Sequence, residues 1–331
     1  MSLLIRLPFI PCCTFIIATQ LQAATAQPFS IKNLNPFIQI YGMPVTENAA
    51  LVPARSYAGA VALDMANNSI LTTAGKESVI LDGETYRLAF TLRYGLDERT
   101  EVGLEIPFIA HSNGFMDNFI EDWHDSFGLS NAERVKTTSN TLRYRYAVAN
   151  TALVDLDSPS EGIGDIRLYS ARQLSKTADS ALSLHLGLKL PTGRARQLHG
   201  SGATDVSVSL AHIKRDWLTA LGLTSFTNAG IVWLGEGEVL PDTQENVAGF
   251  ASAGLIWDNS RMIDLKAQLD MHTRIYDSEL DQLGAHTVQL TVGGSVYLGA
   301  QTRLDIGVGE NLLTDTTPDF LINLVLKHGY R

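Results

Sequence analysis

A strict alternation of apolar and polar residues runs through the middle of the chain. From residue 182 to residue 190 every second residue is leucine, and the residues between the leucines are serine, histidine, glycine and lysine. A polar loop begins at Pro191, after which the alternation resumes over residues 206–210. Because successive side chains on a strand point to opposite faces, this pattern predicts a β-hairpin with one apolar and one polar face.

The same period-two pattern recurs along the chain. It predicts strands that begin near residues 56, 84, 100, 164, 181, 204, 217, 247, 262, 287, 302 and 319. Short turns are predicted near residues 95, 175, 214, 258 and 299. Longer loops are predicted near residues 67, 108, 191, 228, 274 and 312. The connections therefore alternate between short and long, and both termini fall on the short-turn side.

The apolar faces of such strands can meet either a soluble core or lipid, because a soluble sheet shows the same alternation. An even number of strands with alternating short and long connections is typical of outer-membrane barrels. Strands of about ten residues, tilted by about 45°, span the roughly 25 Å apolar band. Closure also removes the exposed edges of an open sheet. The sequence predicts an all-β fold, a closed antiparallel transmembrane β-barrel of about 12 strands over residues 56–331, in the bacterial outer membrane.

The first residues have the features of a secretory signal peptide. Arg6 precedes an apolar segment at residues 7–17, and small residues follow at 23–26, which predicts a signal peptide over residues 1–26. Both cysteines of the chain, Cys12 and Cys13, lie within it. The mature chain is therefore predicted to have neither a disulfide bond nor a thiolate metal site.

The next stretch, residues 27–55, contains four prolines and no sustained alternation. We predict that it forms an irregular periplasmic lead-in to the barrel. Residues 37–41 within it are apolar enough to dock against another part of the molecule. Docking in the barrel lumen is therefore the alternative to a periplasmic extension.

A long interruption of the pattern covers residues 108–162, which we predict to be a structured external loop. Aromatic residues at helical spacing among acidic ones predict a short amphipathic helix, and a second alternating stretch around Asn150 predicts a small hairpin. Long structured loops usually have a function. Phe119, Trp123 and Phe127 of the helix are candidates for a lid over the barrel mouth, and a surface cap that stabilises the rim is the alternative.

The polar faces of the predicted strands carry many charges, and these would project into the lumen. The lumen-facing candidates are Arg87, Arg93, Glu101, Glu105, Arg167, His185, Lys189, Asp264, Lys266, Asp270 and His272. Arg87 and Arg93 are expected to face Glu101 and Glu105 across the sheet. Such a lining suits a passive channel for small molecules. The alternative is that these groups pair with one another and plug the barrel, which would then have a surface-interaction or structural role.

The composition of the chain narrows the classes of partner that it is expected to bind. The net charge of −10 disfavours nucleic acid, and no apolar run is long enough for a helical span. The expected partners are outer-membrane lipid and lipopolysaccharide, the barrel-assembly machinery and a small-molecule solute, with no cofactor and no metal. We predict no enzyme activity.

Two other functions have weaker support in the sequence. Pairs such as His111–Ser112 supply residue types for a phospholipase-like hydrolase, as does the stretch 124–126, but neither has a nucleophile-elbow pattern. The second is an adhesin or scaffold. An acidic loop at residues 236–245 can hold a divalent ion that bridges lipopolysaccharide, or it is simply solvated.

Several segments also resemble known outer-membrane barrels. Residues 94–108, 162–168 and 190–193 are similar to those of aromatic-compound channels of Gram-negative bacteria. A closer resemblance, to the outer-membrane family DUF3187, is carried by residues 35–36, 40–42, 82–84 and 119–129. It covers most of the mature chain and implies the barrel fold, while the family has no established activity. One departure is that Tyr330 is followed by Arg331, whereas outer-membrane barrels usually end on an aromatic residue.

Overall fold

The structure, a computed structural model, describes residues 26–114, 116, 141–218, 221–258, 262–312 and 316–329. The predicted signal peptide lies outside the described residues apart from Ala26, and so does the predicted helix with its lid candidates Phe119, Trp123 and Phe127. The described strands are β1 (Tyr57–Ala74), β2 (Glu77–Asp97), β3 (Thr100–Ser112), β4 (Arg143–Val148), β5 (Thr151–Leu156), β6 (Ser160–Ile163), β7 (Arg167–Lys176), β8 (Ser180–Lys189), β9 (Asp205–Leu218), β10 (Leu223–Trp233), β11 (Val247–Trp257), β12 (Ile263–His272), β13 (Thr287–Tyr297), β14 (Thr302–Asn311) and β15 (Phe320–His328). Two helical turns, Ala195–Gln197 and Asp281–Gly284, lie in loops.

Twelve of these strands close into one antiparallel barrel. β1, β2, β3 and β7 to β15 are each hydrogen-bonded to two neighbours, and β1 closes the wall by pairing with β15, where Gly59 lies opposite His328. The predicted closed barrel of about 12 strands is confirmed. Closure gives backbone groups of the wall a partner within the sheet, which lipid requires.

The other three described strands lie at the long-loop end. β4 and β5 form a small hairpin that pairs with the first residues of β2, as the alternation around Asn150 predicts. β6 continues the line of β7 beside β3, and residues 164–166 interrupt the strand between them. No helix in the described part of the chain is long and apolar enough to cross a membrane.

The first hairpin is longer than the sequence predicts. The pattern predicts a loop from residue 67 to residue 83, but β1 and β2 stay paired up to a tight turn at Gly75, whose φ of +53° suits glycine. Polar residues at 67–69 suggest a turn, yet they are buried inside the extended hairpin. Ile70, Val79 and Leu81 on the inward face pack in the largest buried apolar cluster. Tertiary burial therefore extends the strands through a locally turn-like sequence.

A second boundary also differs from its prediction. The reversal predicted at residues 214–216 is part of β9, which continues to Leu218, and β10 then continues to Trp233 although the sequence predicts a loop from residue 228. Three consecutive charged residues suggest a turn at 214–216. The chain instead forms an irregularity within β9: its pairing with β10 shifts register between Lys214 and Leu218, and Asp216 has a φ of +48°.

The outward face of the wall is apolar. Leu265 and Leu269 of β12 are 51% and 36% exposed, and Phe90 and Leu92 of β2 are more than half exposed. Exposed aromatic rings include Trp233 and Trp257, which lie at opposite ends of the β10–β11 pair. Contiguous exposed apolar surface bordered by aromatic rings is the surface that a lipid bilayer covers.

The N-terminal segment fills the lumen. Phe29, Leu34, Phe37 and Tyr41 are fully buried there. The backbone nitrogen of Phe29 donates to the Gln268 side chain at 2.9 Å. We name residues 26–52 the plug segment. The structure thus differs from the predicted periplasmic lead-in over residues 27–55 and agrees with the alternative of lumen docking for residues 37–41. The reason is that the barrel supplies a partner for apolar residues that have no strand periodicity of their own.

Candidate functional site

The inward face of β2 and β3 carries a network of ion pairs. Arg87 bonds Glu105 at 2.6 Å and Asp64 of β1 at 3.0 Å, while Arg93 bonds Glu101 at 2.7 Å. The expected pairing of these arginines with glutamates across the sheet is therefore present. All five side chains are at most 10% exposed, so the charges compensate one another in a region of low dielectric constant.

The plug segment joins this network through Glu47. Its carboxylate bonds Arg93 at 2.5 Å and lies 3.8 Å from Nδ1 of His185 on β8. Burial favours the neutral acid, but Arg93 and His185 outweigh it and hold the pKa of Glu47 below its ordinary value. The sequence does not reveal Glu47 as a lumen residue, because the lumen docking that it allows rests on the apolar residues 37–41 and not on this charged part of the stretch.

A second network lies toward the long-loop end. The Lys189 ammonium bonds Asp165 at 2.6 Å and Asp205 at 3.1 Å, and it donates to the backbone oxygen of Ile40 in the plug segment at 3.2 Å. Asp205 also accepts a hydrogen bond from the backbone nitrogen of Gly42 at 2.7 Å. Lys189 therefore ties the wall, the loops and the plug segment together.

A third network has Asp305 of β14 at its centre. Its carboxylate lies 3.2 Å from Lys266, 3.3 Å from Arg303 and 2.9 Å from Lys327, and the four side chains are at most 5% exposed. Lys266 also lies 4.9 Å from the ring centre of Phe29 in the plug segment. The sequence predicts Lys266 to face the lumen because it alternates with apolar residues on β12. The same alternation on β14 is the available signal for Arg303 and Asp305.

The remaining candidates lie beside the plug segment or on the wall around it. Asp270 accepts a hydrogen bond from the Thr46 hydroxyl at 2.9 Å, and Nε2 of His272 is 3.2 Å from the Asn33 amide. Asp264 accepts a hydrogen bond from the Tyr297 hydroxyl. Arg167 lies over the ring of Tyr169 at 5.2 Å. The structure thus brings the lumen-facing candidates together around a segment that the sequence pattern places outside the barrel.

Narrow cavities remain beside the plug segment. Cavity A, lined by Asn33, Asp270 and His272 among others, and cavity B, lined by Glu47, Arg93 and others, each offer about 50 Å³ to the centres of water molecules. Cavity C, lined by Lys32 and Arg167 among others, offers about 20 Å³. A single water needs roughly 10–15 Å³ by this measure, so cavities A and B have room for a few water molecules and cavity C for roughly one or two.

These cavities share parts of their lining. Arg87 and Glu105 line both cavity B and cavity C, and Lys32 lines both cavity A and cavity C. Val45 and Thr46 line both cavity A and cavity B. Water-accessible space therefore lies on more than one side of the plug segment, and neighbouring cavities share lining side chains.

The contacts of the acidic loop and of the histidine–serine pair favour structural roles. Glu245 of the acidic loop pairs with Arg274 at 2.8 Å. Within the described residues, no group of three or more histidines, cysteines, aspartates or glutamates is arranged to hold a metal ion. The Ser112 hydroxyl accepts a hydrogen bond from the backbone of Gly114, whereas His111 bonds Thr85. The two neighbours therefore do not form a nucleophile–base pair with each other.

His199 connects a long loop to the wall. Its ring stacks on that of His111 at 5.5 Å, and its Nε2 is 3.1 Å from the Ser160 hydroxyl. Burial, together with the nearby Arg194, lowers the pKa of His199 to about 4. The imidazole is therefore neutral at physiological pH.

We expect this histidine to weaken the fold on acidification. Because its pKa in the folded protein is below the value of about 6.5 in an unfolded chain, the unfolded chain takes up the proton first. The contribution of His199 to stability therefore falls as the pH drops from about 6.5 to about 4, and this contribution levels off below that range. The melting temperature of the wild type should fall more steeply over this range than that of His199→Gln. Parallel plots of melting temperature against pH for the two proteins would contradict this role of His199.

Comparisons with known proteins agree with this architecture. The structure matches the crystal structure of the COG4313 outer membrane channel from Pseudomonas putida F1 with a TM-score of 0.55 and 14% identity, over 85% of this chain and 97% of that one. It also matches the Ralstonia pickettii toluene transporter TbuX, with a TM-score of 0.41 and 10% identity over 92% and 95% of the two chains. The CymD monoaromatic hydrocarbon channel matches with a TM-score of 0.38 and 11% identity over the same shares.

At these identities the likeness to the first structure shows the fold alone, and the other two scores add nothing to it. No curated protein matches the sequence. The closed barrel and its exposed apolar belt identify an outer-membrane protein. The family described as a protein of unknown function, DUF3187, matches residues 4–330, and the chain therefore belongs to the DUF3187 family.

Proposed function

We propose that the protein is a passive channel for small molecules across the outer membrane. The observation that carries the proposal is the set of charged, water-accessible cavities that flank the plug segment and share lining residues. A barrel with a purely structural role has no need to keep polar space in its lumen. Mixed charges along a narrow path select solutes by size and charge.

The main alternative is a plugged barrel with a structural or surface-interaction role. It is favoured by the extent to which the lumen charges pair with one another and with the plug segment, as at Glu47 and Lys189. The two functions differ in whether solute passes through the wild-type protein.

Planar-bilayer recording separates these functions. We expect the refolded wild type to give small current steps. The lid proposal for Phe119, Trp123 and Phe127 is tested by replacing residues 117–140 with a short glycine–serine linker. The flanking chain allows this, because Ser112 and Thr141 both approach Gly83. Larger steps are expected from the shortened variant.

Heat-modifiable migration on a gel provides the folding control for both proteins. If neither protein gives current steps once each is shown to be folded, the result would contradict the channel and favour the plugged barrel. Unchanged steps in the shortened variant would contradict the lid alone and favour a surface cap.

We propose no catalytic role. A hydrolase of membrane lipid requires a serine, a histidine and an orienting group on the outer wall. Ser180 and His212 lie 3.0 Å apart on β8 and β9, at their short-turn ends. Within the described residues His212 has no carboxylate partner, so this pair lacks the third member of a triad.

Lipid, lipopolysaccharide and the barrel-assembly machinery are proposed partners, supported by the apolar outer belt.

A further inference from the structure

Cavity C contains more positive than negative charge. Its lining includes Lys32 of the plug segment together with Arg87, Arg167 and Lys189 of the wall, against the carboxylates of Glu105 and Asp165. Arg87 and Lys189 are each bonded to two carboxylates. Among the described residues, Lys32 and Arg167 are therefore the cations of this lining that have no bonded carboxylate.

Arg167 is buried, and no carboxylate among the described residues lies within ion-pair distance of it. Its residue exposure is 2%, and Nη1 is buried with no hydrogen-bond partner. Within the part of the chain that the structure describes, Arg167 makes no ion pair and lies over the ring of Tyr169, and it interacts with the carboxylates of Glu105 and Glu47 only at longer range. A buried guanidinium loses its hydration, and longer-range interactions replace only part of it, so buried charges in proteins are normally paired directly.

Lys32 of the plug segment lines the same cavity. Its ammonium donates to the backbone oxygen of Tyr41 at 3.1 Å and makes no ion pair among the described residues. Burial and the nearby charges of Arg167 and Arg87 hold the pKa of Lys32 well below its ordinary value. Glu105, which lines the cavity, is bonded to Arg87 at 2.6 Å. An anion beside Lys32 and Arg167 would compensate both groups at once.

We propose that cavity C is a binding site for a small oxyanion of the carboxylate class, held by Arg167 and Lys32. The planar guanidinium presents paired N–H donors that match the two oxygens of a carboxylate, and the ammonium supplies a further charged donor. The space of about 20 Å³ limits the ligand to a single small group. This site needs only the closed lumen, and therefore extends beyond the proposed channel function.

Formate, the smallest carboxylate, is the probe for this cavity. Isothermal titration calorimetry is carried out on the full mature chain, refolded in detergent, in a buffer free of chloride and of carboxylates. Formate should bind the wild type at millimolar concentrations or below. Arg167→Gln and Lys32→Gln should each weaken binding by roughly tenfold or more, the effect expected for one charge-assisted hydrogen bond. Arg167→Lys, which keeps the positive charge but loses the paired N–H donors of the guanidinium, should bind formate more tightly than Arg167→Gln.

The matched control is Arg172→Gln on the same strand. Arg172 is exposed on the outside of the barrel, where it donates to the Thr100 hydroxyl at 3.3 Å. This change removes the same charge from the protein and should leave formate binding unchanged. Equal formate affinity in Arg167→Gln and Arg172→Gln, or no binding of formate to the folded wild type, would overturn the proposal. Because binding is measured without a membrane, a silent bilayer recording overturns the channel and leaves this site intact.

Discussion

A variant that lacks residues 27–52 should conduct current in steps severalfold larger than those of the wild type. The plug segment places large buried side chains such as Phe29 and Phe37 across the lumen. Without it, the inner face of a twelve-stranded wall carries the charged side chains of the three ion-pair networks, and such a lining takes up water. The wall should still close, because its pairing runs from strand to strand and does not pass through the plug segment.

The measurement is single-channel recording of the refolded variant beside the wild type, with heat-modifiable migration as proof of folding. Steps of wild-type size from the folded variant would mean that the plug segment does not limit the path. A stability loss is expected as well, because removal of Glu47 leaves Arg93 with one fewer of its carboxylate partners.

A disulfide provides the matched control for movement of the plug segment. The Thr46 hydroxyl donates to the Ser252 hydroxyl of β11 at 2.8 Å, so cysteines at these two positions lie within reach of a disulfide bond. The chain has two cysteines, at positions 12 and 13, which the mature protein is predicted to lack. We expect the oxidised and reduced forms of Thr46→Cys with Ser252→Cys to give equal steps, because hydrogen bonds and ion pairs already fix the segment. Larger steps on reduction would contradict a fixed plug.

Replacement of Asp305 by asparagine should lower the free energy of unfolding by about 3–5 kcal/mol. Asp305 is fully buried and lies within 3.3 Å of charged nitrogens of Lys266, Arg303 and Lys327. The change keeps the shape of the side chain and removes the negative charge that compensates these cations. Removing one partner of a buried ion pair leaves the charge of the other partner unpaired, and this costs more stability than replacing the whole pair by apolar residues.

Urea titration of the folded fraction in lipid vesicles measures this effect. Asp277→Asn is the control, because Asp277 pairs with Arg274 at 2.9 Å but is 74% exposed. Surface pairs contribute about 0–1 kcal/mol. Adding Lys266→Met to Asp305→Asn should restore part of the loss, since one uncompensated cation is then removed. Equal stabilities of Asp305→Asn and Asp277→Asn would contradict the central role of Asp305.

The wall of the barrel could be predicted from the sequence, because the information is local. Alternation with period two determines which side chains face lipid, as for Leu265 and Leu269, and which face inward, as for Lys266. The two arginines of β2 and the two glutamates of β3 could likewise be matched, because a short turn fixes their strands side by side. Strand ends were less predictable, since burial of residues 67–69 overrides their turn-forming character.

The content of the lumen was decided by the tertiary structure alone. Phe29 meets Gln268, and Tyr41 meets Tyr276, across more than two hundred residues of chain, and no periodicity in the plug segment indicates such contacts. The partners of the charged side chains were likewise decided by the tertiary structure. Sequence places Arg167 and Lys189 on one inward face, but only the fold gives Lys189 two carboxylates and leaves Arg167 with none among the described residues. Alternation determines the face on which a side chain lies, whereas its partners depend on distant segments that closure of the barrel brings together.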